Sequence, residues 1–304
     1  MRIALWTCLA FLLAPLASRA EVRVAATLPS LGALAREVVG AHGTVEVLAP
    51  PNQDPHFVDG KPTLVLRLNR ADLLVHAGGG LEAGWLPTLL AGARNGGIQP
   101  GQPGNLEVVG LAGPLLEVPD ELDRSLGDVH PGGNPHVWLD PRRARRIVGG
   151  IAERLAELDP DNAEAYRANA RRFDARLERA IAGWEEKMRP HRGRGLVAYH
   201  KSLTYLIDWL GLEAFGTIEP LPGIAPSPSH LAQLIVRMRE AEPKPIVVAE
   251  RWHNQRTART VAEKAGAPLV VLPGDVGSTK ENGDYLSFIG DLVDRLEKAL
   301  APAR

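Results

Sequence analysis

The amino-acid sequence predicts an α/β protein of two lobes, each with a central, mainly parallel sheet flanked by helices, joined by one long rigid helix. Short apolar runs typical of buried strands alternate with amphipathic helical patterns along most of the chain. The alternation is interrupted once, by a helical pattern longer than any other, and then resumes. Because strands that alternate with helices form parallel sheets, the two blocks predict two sheets.

The N-terminal block begins the alternation. Its predicted strands are residues 22–28, 45–48, 72–76 and 106–111, with helices over 31–39, 61–69 and from Pro141 to about 158. The run Gly78-Gly79-Gly80 lacks a following Walker lysine and the spaced dinucleotide fingerprint, so we interpret it as a tight turn near the cleft and not as a phosphate loop. The polar, acidic residues 114–133 predict a surface loop.

The longest helical pattern covers residues 162–188, with apolar residues at spacings of three and four. It contains no glycine or proline before Gly183, so nothing in it favours a bend. The C-terminal block follows, with predicted strands at 196–199, 213–218, 246–249 and 269–272 and helices at 203–210, 231–240 (capped by Ser229), 257–265 and 285–300. The predicted division is a signal peptide at 1–20, an N-terminal lobe at 21–160, a linker helix at 161–189 and a C-terminal lobe at 190–304.

Composition and the N-terminus restrict the class of protein. Residues 3–16 form an apolar run after Arg2, and the segment ends in Ser18-Arg19-Ala20, which predicts a signal cleaved after Ala20 and a periplasmic protein. The signal holds two of the 35 basic residues and none of the 36 acidic ones, so the remainder carries a net charge of −3. This balance argues against a nucleic-acid partner. The single cysteine, Cys8, lies within the signal, so we expect the mature chain to be free of thiols.

Three histidines and one aspartate carry the predicted chemistry. His56 and His136 each follow a proline, His200 follows a predicted strand, and Asp275 lies just past the last strand. Each comes from a different βα unit, so a cleft between the two sheets could collect all four. Three imidazoles and a carboxylate suit Zn²⁺ in a tetrahedral site, since no thiol is available.

The remaining histidines and acids leave alternatives open. Glu250, which ends a predicted strand, and water are the other candidates for the fourth ligand. His130, six residues before His136, could contact the metal transiently. A further four histidines are expected at the surface, namely His42, His191, His230 and His253.

Several motifs together resemble the periplasmic solute-binding proteins of ABC importers for zinc and manganese. They are Asp54-Pro55-His56, Gly79-Gly80-Leu81-Glu82, Asn134-Pro135-His136-Val137-Trp138-Leu139-Asp140-Pro141 and Ala198-Tyr199-His200, with the long helix. The resemblance implies a non-enzymatic monomer that binds Zn²⁺ between its lobes through His56, His136 and His200 and delivers it to an ABC permease in the inner membrane. In that family a histidine at the third position goes with zinc and a glutamate usually with manganese.

The sequence departs from that family in two places. The last ligand is usually an aspartate in an Asp-Pro-Leu-Gly-like segment, whereas this chain has Pro273-Gly274-Asp275-Val276-Gly277. The long histidine-rich loop of many zinc-specific members is also absent, because residues 117–133 contain only His130. A manganese-binding protein of the same family is the alternative function. A zinc hydrolase is the rival from another class, with Glu250 as its only candidate base, and no His-Glu-x-x-His motif supports it.

Overall fold

The structure is a computed structural model that describes residues 21–118, 130, 132–220 and 223–301. The predicted signal peptide and most of the predicted loop at 114–133 lie outside these residues. Within the described part, no helix is both long and apolar enough to cross a membrane.

The N-terminal sheet has four parallel strands in the order β2-β1-β3-β4. Its elements are β1 (Val22–Ala26), α1 (Pro29–Val39), β2 (Gly43–Val47), α2 (Pro62–Arg70), β3 (Leu73–His76), α3 (Leu86–Ala93) and β4 (Asn105–Glu107). The central strands β1 and β3 are apolar and almost wholly buried, as expected of a parallel sheet covered on both faces.

The C-terminal sheet repeats this arrangement with four parallel strands in the order β6-β5-β7-β8. Its elements are β5 (Gly195–Ala198), α6 (Thr204–Leu210), β6 (Glu213–Thr217), α7 (Pro228–Glu240), β7 (Ile246–Glu250), α8 (Gln255–Ala265), β8 (Leu269–Leu272) and α9 (Tyr285–Leu300). The fold predicted from the sequence, two parallel α/β sheets and one long helix, is confirmed.

Helices α4 (Pro141–Leu158) and α5 (Ala163–Met188) connect the two sheets. They pack as an antiparallel pair, and Arg167 on α5 reaches Glu153 on α4 at 2.7 Å. Helix α5 also contacts both lobes directly. The Asn169 side chain donates to the Val38 carbonyl at the end of α1, and the Phe173 ring packs edge-on against Tyr285 at the start of α9. The division of the chain at residues 160 and 189 stays a prediction.

Several predicted bounds differ from the structure by a few residues, helix α3 was not predicted, and two of the differences have a clear local cause. The fourth strand ends at Glu107 instead of residue 111, because the chain turns at Gly110 and the Leu111 N–H donates back to Val108. The cap of α7 is Ser227 and not Ser229, since Pro228 takes the first helical position and the Ser227 hydroxyl accepts from the His230 N–H at 3.1 Å.

Candidate metal site between the lobes

The structure brings His56, His136 and His200 together in the cleft between the two sheets. His56 lies in the loop after β2, His136 immediately before a short 3₁₀ turn that leads into α4, and His200 two residues past β5. One ring nitrogen from each lies within 4.8 Å of the other two. All three side chains are buried, so the nitrogens face a space largely shielded from solvent. The numbers of residues between the three histidines did not indicate how far apart their side chains lie. In the structure, one cleft does collect these three histidines.

Each imidazole is oriented by an oxygen behind it. The Nδ1 atoms contact Asp54 Oδ1 at 2.7 Å, Asn134 Oδ1 at 2.9 Å and Glu219 Oε2 at 3.0 Å, for His56, His136 and His200 respectively. When Nδ1–H donates to an oxygen, the lone pair of the ring is on Nε2. The three rings are therefore prepared to present Nε2 to a cation.

Two of these oxygens also shape the chain around their histidine. Asp54 Oδ1 accepts the backbone N–H of His56, and Asn134 Oδ1 accepts that of His136, each at 3.0 Å. Both are local turns in which an Asx side chain binds the backbone two residues on. The prolines between each pair fix the backbone further, so the rings are held by covalent geometry as well as by hydrogen bonds.

Asn134 also ties the N-terminal lobe to the segment after His200. Its Nδ2 donates to the Lys201 carbonyl at 2.8 Å and to Glu117 Oε2 at 2.9 Å. The Tyr205 hydroxyl, from α6, donates to the Asn134 carbonyl at 2.7 Å. The bonds to Lys201 and from Tyr205 cross between the lobes, so they link the segment before His136 to the segment after His200.

Burial sets the charge state of His136. Desolvation lowers the pKa of His136 well below its usual range, and repulsion from the neighbouring His56, His200 and His130 lowers it further. Both effects favour the neutral imidazole, which is the form that binds metal.

Asp275, the predicted fourth ligand, is buried beside the triad but lies outside the group of nitrogens within 4.8 Å. It lines the same small cavity as His136. Its carboxylate accepts the Ser30 hydroxyl and, at 2.7 Å, the Val276 N–H. Burial raises the pKa of Asp275 to about 6, partly offset by these two hydrogen bonds. Its role as a ligand stays a prediction.

Glu250, the alternative fourth ligand, is held by two neighbours. The Ser202 hydroxyl donates to Oε1, and His253 Nδ1 lies 3.0 Å from Oε2. Burial alone raises the pKa of Glu250 and lowers that of His253, but their mutual attraction outweighs it, so the pKa of the acid is lowered and that of the base raised. The two side chains lie at ion-pair distance, although among the described residues Glu250 Oε2 and His253 Nδ1 form no well-directed hydrogen bond.

His253 shows where the sequence analysis was wrong about the surface. It was expected to be exposed, yet only 7% of its side chain is, because its ring stacks on Tyr199 with centroids 4.5 Å apart. His191 is buried too, with 8% exposure. Neither residue has an apolar sequence context, so no local signal revealed the burial. Glu219 and Ser202 were likewise missed, because their roles depend on neighbours far away in sequence.

His130 lies next to the triad, beside His56. Its Nε2 lies 3.4 Å from His56 Nε2, and its Nδ1 contacts the Gly79 carbonyl at 3.1 Å. Two nitrogens bound at about 2.0–2.1 Å to one tetrahedral zinc would be roughly 3.4 Å apart. His130 therefore has the spacing of a co-ligand of His56.

The triple glycine forms the tight turn that the sequence predicted. All three residues have positive φ, between +59° and +89°, a conformation that glycine adopts without strain. The turn surrounds the buried Glu82 carboxylate, which accepts the Ala77 and Gly78 N–H groups at 2.7 and 3.0 Å. The same turn presents the Gly79 carbonyl to His130, so it supports the cleft.

Two parallel α/β lobes bridged by a continuous helix, with a triad of oriented histidines in the cleft, define a metal-binding protein of the solute-binding class. Comparison of the chain with known protein families gives the same class. The family model described as zinc-uptake complex component A periplasmic, ZnuA, matches residues 24–299. The chain belongs to this ZnuA family.

Individual relatives are similar over nearly their full length. The high-affinity zinc uptake system protein ZnuA of Yersinia pestis is 27% identical, covering 96% of this chain and 95% of the relative. The protein of the same name from Paracoccus denitrificans (strain Pd 1222) is 29% identical and covers 94% of each chain. A crystal structure of a ZnuA deletion mutant with zinc bound is 27% identical, covers 93% of this chain and all of the other, and has a TM-score of 0.76.

Proposed function

We propose that this protein captures Zn²⁺ in the cleft between its lobes outside the cytoplasm and delivers it to an ABC permease. The observation that carries the proposal is the buried triad His56, His136 and His200, with every Nδ1 held by a side-chain oxygen. Family membership supports the same function, since relatives similar along their whole length are named zinc uptake proteins. The protein carries its metal as cargo.

The donor set favours zinc over manganese. Neutral imidazole suits zinc, whereas manganese prefers carboxylate, carbonyl and water oxygens. All three converging ligand atoms are nitrogens. Manganese would therefore find few of its preferred donors unless it recruited Asp275 or Glu250.

The hydrolase alternative is weaker because Glu250, the one base suggested for it, already has close partners. Glu250 was the candidate, and its carboxylate is bound by the Ser202 hydroxyl and paired with His253. A general base needs to reach a metal-bound water with a lone pair available for the proton. The site thus supports binding and release rather than catalysis.

The test of the function is metal analysis of the purified protein. We expect one zinc per chain after dialysis against equal concentrations of zinc and manganese, with no hydrolysis of ester or peptide substrates. Stoichiometric manganese with little zinc would contradict the proposal. Zinc-dependent hydrolysis lost in His200→Ala would instead favour the enzyme.

For the fourth ligand we propose Asp275. It is buried, lines the cavity that His136 lines, and sits on a loop whose internal hydrogen bonds hold it in place, including the Gly277 N–H to the Asn282 carbonyl at 2.7 Å. A carboxylate next to three neutral imidazoles would offset half of the charge of zinc. His130 is the second candidate because of its 3.4 Å approach to His56.

Two substitutions distinguish these candidates. Asp275→Asn keeps the size of the side chain and can still accept from Ser30 and Val276, so the fold is expected to persist. If Asp275 binds the metal, we expect zinc affinity to fall by more than about tenfold. Tenfold is the lower end of the loss expected when a group that only supports a ligand is removed. His130→Ala is the matched comparison and should then have the smaller effect. Unchanged affinity in Asp275→Asn, measured by competition with a chelator, would remove Asp275 from the site.

The partner and the location remain part of the same proposal. Cleavage after Ala20 would release the protein into the periplasm as a monomer, and the cleft between the lobes would meet the permease there. The excess of negative charge on the mature chain is compatible with this location and provides no basis for binding nucleic acid.

A further inference from the structure

Three side-chain oxygens contact the Nδ1 atoms of the triad, and that of Glu219 differs from the other two in its distance along the sequence from its histidine. Asp54 and Asn134 precede their histidines by two residues and also bind the local backbone. Glu219 lies 19 residues after His200, just past the end of the edge strand β6. Its carboxylate is therefore not required by the turn that carries His200, and another residue could occupy the position without altering that turn.

The backbone nevertheless places Glu219 accurately. Its N–H donates to the Tyr199 carbonyl at 2.9 Å, which continues the pairing of β5 with β6 up to the ligand. The side chain is 18% exposed and that of His200 10%, so the contact of 3.0 Å between them is mostly shielded from water. A shielded carboxylate acts more strongly on its partner than a solvated one.

We propose that Glu219 is the positioning residue that sets the zinc affinity and the zinc-over-manganese preference of this site. The proposal rests on the proposed function. A carboxylate that accepts the Nδ1–H of an imidazole makes Nε2 a better donor, and a neutral acceptor such as an amide does so less. The gain is greatest for a metal that prefers nitrogen, so it favours zinc over manganese.

Charge acts in the same direction. Glu219 brings a carboxylate to 3.0 Å from His200 Nδ1, and a negative charge there stabilises a cation bound through Nε2 of the same ring. The Glu219→Gln change removes this charge and keeps the size of the side chain. Nothing in the local sequence indicated this role, because Glu219 is an acid in an ordinary turn sequence, Ile218-Glu219-Pro220.

The test compares Glu219→Gln with Glu213→Gln in the full mature chain. Glu213 begins the same strand but is exposed, so its variant is a matched control for loss of an acid from β6. We expect Glu219→Gln to bind zinc about 10–100-fold more weakly, the usual cost of losing such a partner, and manganese only a few-fold more weakly. Glu213→Gln should bind both metals like the parent. Competition with chelators measures both affinities.

A second readout separates donor strength from misfolding. Cobalt(II) bound to the parent and to Glu219→Gln should show absorption bands of tetrahedral intensity, shifted in energy in the variant because one imidazole is a weaker donor. Glu219→Asp keeps the charge but shortens the reach, and should lose zinc affinity to an intermediate extent. Equal losses for zinc and manganese, or zinc affinity in Glu219→Gln equal to that of the parent, would overturn the inference.

Failure of this inference is distinguishable from failure of the proposed function. If the parent binds no zinc, or if His200→Ala binds zinc as tightly as the parent, the function is wrong. If His200→Ala loses zinc and Glu219→Gln does not, the function stands and only the role of Glu219 is excluded.

Discussion

Replacing any one of His56, His136 or His200 by Ala is expected to weaken zinc binding by more than about 10²-fold, beyond the usual cost of losing a partner of a ligand. Each substitution removes one nitrogen from a set that converges within 4.8 Å, and water must fill the position. Water is a weaker donor for zinc than imidazole, and the two remaining rings cannot move closer, because Asp54, Asn134 and Glu219 hold them from behind. Isothermal titration with a competing chelator measures the loss.

His42→Ala is the control for this prediction. That side chain is half-buried on the N-terminal lobe, where its ring packs against Tyr166 with centroids 5.9 Å apart. We expect unchanged zinc affinity and at most a small loss of stability. A His200→Ala protein with the affinity of the parent would exclude the triad as the metal site. Equal loss in His42→Ala would show that the effect arises from destabilisation and not from coordination.

The sequence was informative about the triad because local chemistry marks it. A proline directly before His56 and His136 marked these two residues as held in place. His56 and His200 also follow strands, on the side of a parallel sheet where open α/β folds bind ligands. The two sheets and the long helix were predictable for a similar reason. Apolar periodicity records burial, and burial fixes secondary structure in a parallel sheet.

The residues around the triad could not be predicted in this way. Glu219 reaches His200 from the neighbouring strand, and the Glu250–His253 pair forms because β7 ends next to Tyr199, on which the His253 ring stacks. These contacts depend on the order β6-β5-β7 in the sheet, which sequence patterns do not specify. A polar residue in a turn has the same sequence appearance whether it faces solvent or a buried histidine.

For Asp275, the sequence predicted a position but not the orientation of the side chain. Its position after the last strand predicted that it faces the cleft, and in the structure it lines the cavity that His136 lines. The direction of its carboxylate is set by the Ser30 hydroxyl at the start of α1. Ser30 precedes Asp275 by 245 residues, so only the packing of the two lobes creates the contact. The fourth ligand is accordingly the part of the site for which substitution experiments are most informative.

Acid is expected to release zinc, and this is the second large effect. Protons compete with the metal for imidazole nitrogen, and free histidine titrates near ~6.5. We expect the apparent affinity to fall by about 10² or more between pH 7 and pH 5. The slope of log affinity against pH should stay below three, since burial lowers the pKa of His136 and this residue competes less for protons than a free histidine does.

Two side chains whose pKa changes on folding make the stability of the metal-free protein depend on pH, so this stability has to be measured as a control. Because the pKa of His136 is lowered on folding, the unfolded chain binds more protons below about pH 6.5, and the metal-free protein loses stability as the pH falls. Burial raises the pKa of Asp275 to about 6, which acts in the opposite direction: the folded state binds the extra proton between about pH 4 and 6 and gains stability on acidification there. Circular dichroism of the metal-free protein must therefore accompany the titration.

Asp275→Asn adds a decisive comparison to the pH series. If Asp275 is a ligand, zinc must also displace its proton below about pH 6, so the parent should have the steeper dependence and the variant a shallower one. If Asp275 only accepts the Ser30 and Val276 hydrogen bonds, both proteins should share one slope. A flat zinc titration from pH 7 to pH 5 in a protein that remains folded would contradict a site made of three histidines, because protons compete with zinc for imidazole nitrogen.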